Sequence, residues 1–108
     1  MELKRGVSFN VSTEVRRAVS IVDDLYKEVF GQEVVITCGR DTKYHRSGKH
    51  PIGGAVDIRT RDNSSVLQWS PVVKLLLKKL IEGRLGWGYD VVVEKNHIHI
   101  EWDPKVYE

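Results

Sequence analysis

The sequence predicts an α+β domain, a small antiparallel sheet with helices packed on one side. Two segments carry apolar residues at helical spacing, and four shorter runs are β-branched or alternating. The last two of these runs are separated by only two residues, the signature of a hairpin. The predicted order is helix, strand, strand, helix, hairpin, and a sheet with helices on one face is its simplest assembly. The chain has 108 residues and no repeat, low-complexity tract or linker, so residues 1–108 read as one domain.

Residues 12 to 30 form the first helix. Val15, Ala18, Val19, Val22, Leu25, Tyr26 and Val29 make one apolar stripe. Ser12 or Thr13 can cap its start, and Gly31 can end it in a left-handed conformation. The run Val34-Val35-Ile36-Thr37-Cys38 reads as a buried strand. Residues 39 to 53 are polar and punctuated by Gly39, Gly48, Pro51 and Gly53, which marks a loop. It is long for so small a domain, and such loops are more often functional than idle. Residues 55 to 60 alternate and form a second strand. Ser70-Pro71 opens the second helix with an N-cap and a first-turn proline. Its expected buried face is Val72, Val73, Leu76, Leu77 and Leu80, and Gly83 and Gly86 are expected to end it. Residues 89 to 94 and 97 to 102 form the hairpin. The turn is Lys95-Asn96, where Asn tolerates the positive φ that favoured hairpin turns require.

Composition excludes several classes. Hydrophobic residues make up 41% and charged residues 30%, ordinary for a globular protein. The net charge of +2 is mild, and basic residues are interleaved with acidic ones rather than gathered in a stripe that would suit nucleic acid. No run approaches the roughly 20 apolar residues that span a bilayer. Cys38 is the one cysteine, so no intrachain disulfide can form, which fits a reducing compartment. The N-terminal residues have charge but no apolar region behind it, so synthesis in the cytoplasm without a signal peptide is expected.

The chemistry concentrates in two motifs, His50-Pro51-Ile52-Gly53-Gly54-Ala55-Val56-Asp57 and Glu94-Lys95-Asn96-His97-Ile98-His99-Ile100-Glu101. In a two-residue hairpin, Glu94 and His97 lie opposite each other on one face. Alternation adds His99 and Glu101 to that face and turns Ile98 and Ile100 into the core. His50 precedes Pro51 and is biased toward an extended backbone. Gly53 and Gly54 permit a sharp turn or a close backbone approach. A loop His and a strand Asp can then converge with the hairpin if the strands are neighbours. A catalytic zinc needs three protein ligands and an open position. His50, Asp57 and one of His97 or His99 supply them, and one zinc ion is expected. A carboxylate outside the ligand set must take a proton from water, and Glu94 is the candidate. The remaining hairpin His can donate to a developing oxyanion. Cys38 reads as a buried strand-end thiol, His45 as a solvated loop residue, and Trp69, Trp87 and Trp102 as core-completing rings.

These residues resemble the zinc D-alanyl-D-alanine peptidases of the VanX/VanY type, in the wider group that includes lysostaphin-like enzymes and the hedgehog signalling domain. The family pattern His-x-x-Gly-x-Ala-x-Asp is matched by His50, Gly53, Ala55 and Asp57. Its second element, a carboxylate followed by His-x-His, is matched by Glu94, His97 and His99. The upstream run Ile36-Thr37-Cys38-Gly39-Arg40 is also similar, so the likeness covers residues 34 to 104. It implies the hedgehog/DD-peptidase-like fold, zinc held by His50, Asp57 and His99, and catalysis by Glu94 assisted by His97. Arg40 matches an arginine that holds a substrate carbonyl or carboxylate; by itself it reads equally as a surface ion pair. The chain departs from the pattern where many members have Ser two residues before the first ligand, since Gly48 stands there and Ser47 is shifted by one. Some members place the base three residues before the ligating His, which is Asn96 counted from His99 and Glu94 counted from His97.

The function implied is hydrolysis of amide bonds in peptidoglycan stem peptides, of the D-Ala-D-Ala carboxypeptidase or L-alanyl-D-glutamate endopeptidase type. A short phage- or prophage-encoded, endolysin-like monomer acting on the bacterial cell wall after release is the expected setting. The expected partner is the peptide substrate, with neither nucleic acid nor membrane. The alternative is a non-catalytic zinc-binding structural or interaction module of the same fold.

Overall fold

The computed structural model describes residues 1–40 and 49–104. Its strands are β1 (Glu2–Leu3), β2 (Val35–Cys38), β3 (Ala55–Arg59), β4 (Tyr89–Val93) and β5 (His97–Trp102). Its helices are α1 (Thr13–Phe30) and α2 (Pro71–Leu85), and a single 3-10 turn spans His50–Ile52. The strands form one sheet in the order β1-β2-β3-β5-β4. Neighbours among β2, β3, β5 and β4 pair antiparallel, as expected, but β1 adds a parallel edge and makes the sheet mixed. A two-residue strand is too short to leave a periodic signal in the sequence.

α1 forms where its caps allow. The Ser12 hydroxyl accepts the Val15 N–H at 3.3 Å, and Gly31 ends the helix at φ +65° with its N–H on Lys27 O. Val15, Ala18, Val19, Val22, Leu25 and Tyr26 are buried as the stripe predicts. Val29 is not; it is 49% exposed, because at the last turn Phe30 takes the inward position and stacks on Trp69 at 4.1 Å. Asp23 caps β2 instead of a helix, accepting the Val34 N–H at 3.0 Å.

α2 departs further from expectation. Its buried residues are Lys74, Leu77, Ile81 and Leu85, while Val72, Leu76 and Leu80 are exposed and Val73 is half-buried. The helix is apolar on several sides, so the pattern did not single out one stripe. The inward side is fixed by Lys74, whose ammonium donates to Lys95 O at 2.7 Å and ties the hairpin turn to the helix. Gly83 lies inside α2, and Gly86 alone caps it, with its N–H on Glu82 O.

Both helices pack on the sheet face that carries Ile36, Val56, Ile58, Val91, Ile98 and Ile100. The opposite face is left for Asp57, His97, His99 and Glu101, the alternate residues of β3 and β5. No helix among the described residues is long and apolar enough to cross a membrane.

Candidate metal centre

β3 and β5 are neighbours, and their register sets Asp57 opposite His99 and Arg59 opposite His97. This satisfies the condition on which convergence of the two motifs depends. His50 arrives from the other direction. It opens the 3-10 turn instead of continuing an extended segment, because Gly53 closes the turn at φ +76° with its N–H on His50 O. A side chain at Gly53 would meet Asn10 O at 2.9 Å, so the turn is pressed against the segment entering α1. The Gly53 carbonyl in turn accepts the Ser12 N–H. His50 and Asp57 are both buried, at 2% and 3% exposure.

The donor atoms meet tightly. His50 Nε2 lies 3.2 Å from Asp57 Oδ1 and 3.2 Å from His99 Nδ1, and His99 Nδ1 lies 3.0 Å from Asp57 Oδ1. Their other nitrogens are occupied elsewhere. His50 Nδ1–H donates to the Gly39 carbonyl at 2.8 Å, and His99 Nε2 faces Glu101 Oε1 at 3.2 Å. Two imidazole nitrogens and a carboxylate oxygen thus face one another. Such an arrangement needs a positive centre, supplied either by protons on the rings or by a cation. Electrostatics of the metal-free site agree. Burial pushes the Asp57 carboxyl up, but the hydrogen bonds with His50 and His99 and the charge of His50 and His97 outweigh it and hold it well below the usual carboxylate range. The Asp57 hydrogen bond raises His99, burial opposes this, and Glu101 adds to the rise.

Cys38 joins this neighbourhood. Cys38, His50 and Asp57 form a buried group whose donor atoms lie within 4.8 Å of one another, able to hold a metal ion. Within it the thiol sits 3.6 Å from Nδ1 of His50, the nitrogen that already donates to Gly39 O. The Nε2 side is where His99 enters. Zinc bonds of about 2.0–2.1 Å at the tetrahedral angle separate neighbouring donors by about 3.3 Å. The separations of 3.0 to 3.2 Å among His50, Asp57 and His99 fit such a donor set.

His97 stands at the rim. Its Nε2 is 3.6 Å from the second oxygen of Asp57, and its Nδ1 is 2.7 Å from Asn96 Oδ1. Glu94 lies next along the same face; its N–H donates to His97 O at 2.9 Å, and its carboxylate is exposed. No hydrogen bond or ion pair ties that carboxylate to the cluster among the described residues. Asn96 does not adopt the positive φ expected of it, since among the described residues only glycines do. Arg40 is exposed at the end of β2, and its N–H donates to Ser8 O at 2.8 Å. It adjoins Gly39, whose carbonyl holds His50. His45, Ser47 and Gly48 lie outside the described residues. Two partners escaped sequence reasoning. Glu101 was legible as a member of the face but had no role, and the Gly39 carbonyl has no side-chain signature at all. Trp69 stacks on Phe30 and Trp102 packs on Tyr89 at 4.9 Å, whereas Trp87, expected in the core, is 60% exposed and meets the outer side of that packing, edge-on to Trp102 at 6.1 Å. No family model matches the chain, and no curated protein matches it.

Proposed function

We propose that the protein is a zinc metallopeptidase that hydrolyses amide bonds of peptidoglycan stem peptides. One observation carries the reading: three potential ligand atoms, on His50, Asp57 and His99, converge within 3.2 Å on the sheet face that the helices leave open. Their spacing agrees with the ligand set implied by the family resemblance, and the second imidazole of the His-x-His element stands beside them. Of the two hairpin histidines, His99 is the third ligand in this reading, because its Nδ1 is close to both other donors while His97 approaches only Asp57.

Bound zinc supplies a Lewis acid that polarises a substrate carbonyl and makes water acidic. The chain's own groups do the rest. Glu94, just past the edge strand β4 and opposite His97, accepts a proton from the attacking water and returns it to the leaving amine. Its lack of partners among the described residues is compatible with that role, since catalytic contacts tighten in the substrate complex. His97 Nε2 points toward Asp57 from the rim and donates to the oxyanion as charge develops. The Asn96 side-chain amide, 2.7 Å from His97 Nδ1, orients that ring. Arg40 holds a carbonyl or carboxylate of the substrate.

Digestion of purified muropeptides by the zinc-loaded protein, followed by mass spectrometry, tests this reading. Release of D-alanine or a cut stem peptide is expected, and the fragment mass identifies the bond. Glu94→Gln should lower turnover by at least a hundredfold while one zinc per chain stays bound. The Glu94 carboxylate, exposed and without an ion pair among the described residues, favours a second reading, a zinc-binding module without catalysis. One bound zinc with no cleavage of any wall preparation selects that module.

A further inference from the structure

We propose that Glu101 is a positioning residue that fixes which nitrogen of His99 faces the metal. The inference rests on the zinc reading above and extends it to a residue outside the ligand set and the acid–base groups. The two histidines of the cluster present different nitrogens, Nε2 from His50 and Nδ1 from His99. A neutral imidazole carries one proton, so whichever nitrogen donates elsewhere leaves the other as the ligand. For His50 the choice is made by a backbone carbonyl, Gly39 O at 2.8 Å. His99 stands between two carboxylates, Asp57 Oδ1 at 3.0 Å from Nδ1 and Glu101 Oε1 at 3.2 Å from Nε2, so a cation shared by Nδ1 and Asp57 leaves the ring proton to Nε2 and Glu101.

The strand geometry supports this pairing. Glu101 and His99 are two apart on β5 and therefore share a face. Across β3 the partner of Glu101 is Ala55, whose methyl offers no competing hydrogen-bond group. Across β4 its partner is Asp90, and the donor atoms of Asp90, Glu101 and Asp103 lie within 4.8 Å of one another. Lys49 Nζ, from the residue before His50, pairs with Asp103 at 3.2 Å. Glu101 thus stands in an acidic surrounding that favours the proton on the near nitrogen of His99. A carboxylate behind a ligating imidazole also increases its basicity toward a metal. With Nε2–H held there, Nδ1 keeps its lone pair toward His50 Nε2 and Asp57 Oδ1.

The test reads metal affinity and proton position instead of turnover. Zinc dissociation constants would be measured by competition with a chromophoric chelator for the wild type, Glu101→Gln and Glu101→Leu. Glu101→Leu should weaken zinc binding by about 10–100-fold. Glu101→Gln keeps an acceptor oxygen and should recover most of that loss. Long-range proton–nitrogen NMR of the zinc-loaded wild type should place the His99 proton on Nε2. Metal-free melting of each variant checks folding; if Glu101→Leu does not fold, Glu101→Asp, too short to reach Nε2, replaces it and should lose at least tenfold. Zinc binding by the non-accepting variant within twofold of wild type overturns the proposal. So does a Gln variant as weak as Leu, or a His99 proton on Nδ1. Tight zinc binding without muropeptide cleavage would remove the peptidase reading and leave this inference standing. A wild type that binds no zinc removes both.

Discussion

Asp23 and Gly39 show what single residues carry, since Asp23 holds the start of β2 and the Gly39 carbonyl holds His50. Asp23 is buried yet ionised: burial pushes its carboxyl up, but hydrogen bonds from the Met1 amino group, Lys27 and the Val34 N–H outweigh it and hold it below its ordinary value of 3.8. A carboxyl lowered in the folded state contributes stability that is present above the unfolded pKa and is lost as pH falls through the folded one. Asp23→Asn should therefore cost about 1–3 kcal/mol at pH 7. The gap from wild type should close as pH drops below about 4. Urea unfolding across that range measures it, and a gap that persists unchanged at pH 2 would refute the ionic account. Gly39 is constrained by space. A Cβ there would sit 2.1 Å from Ser8 O, a backbone atom that cannot step aside cheaply. Gly39→Ala should cost about 1–3 kcal/mol by overpacking. It should also weaken metal binding, because the Gly39 carbonyl that holds His50 Nδ1–H must move with it. Unchanged zinc affinity in a destabilised Gly39→Ala protein would separate the two effects and reject the second.

At the scale of elements, α2 offers the sharpest contrast. Leu77 is 2% exposed and its neighbour Leu76 is 57% exposed. Leu77→Ala should cost about 2–5 kcal/mol, and Leu76→Ala should stay within about 0.5 kcal/mol. Equal losses in chemical denaturation would show that the helix buries a different face. The expectation from the sequence had both residues inside, and the reason it failed is physical. α1 has one apolar stripe and charged residues elsewhere, so its orientation could be read directly. α2 has leucine or valine on several sides, and a buried lysine decides its rotation, which hydrophobic pattern alone cannot anticipate. The hairpin was legible because a two-residue spacer and strict alternation leave few registers. The same alternation put His97, His99 and Glu101 on one face before any coordinates. What could not be read was backbone geometry: the 3-10 turn at His50, the Gly39 carbonyl, and a parallel edge strand of only two residues, Glu2 and Leu3. The convergence of these side chains was therefore visible in the sequence, and the backbone that holds them was not.

At the scale of the whole molecule, the candidate centre links the loop before β3 to the paired strands β3 and β5, so a bound cation would stabilise the fold. Ligand that binds only the folded state adds about 2.7 kcal/mol at a free concentration 100-fold above its dissociation constant. For a domain of about 100 residues, each kcal/mol moves the melting temperature by roughly 4–8 °C. Zinc should thus raise the midpoint by about 10–20 °C under those conditions, and a chelator should remove the gain. Ligation requires deprotonated imidazoles, so the gain should shrink as the pH is lowered. The same measurement chooses the third ligand. His99 Nδ1 is 3.0 Å from Asp57 Oδ1 and 3.2 Å from His50 Nε2, whereas His97 Nε2 is 3.6 Å from the other Asp57 oxygen. His99→Ala should abolish the zinc-dependent shift, and His97→Ala should keep most of it while losing cleavage. Calorimetry of the two variants with zinc and with chelator gives the answer. A shift lost in His97→Ala and kept in His99→Ala would exchange their roles, and it would place Glu94 three residues before the ligating histidine. A wild-type midpoint indifferent to both zinc and chelator would mean that the converging donors are balanced by protons alone.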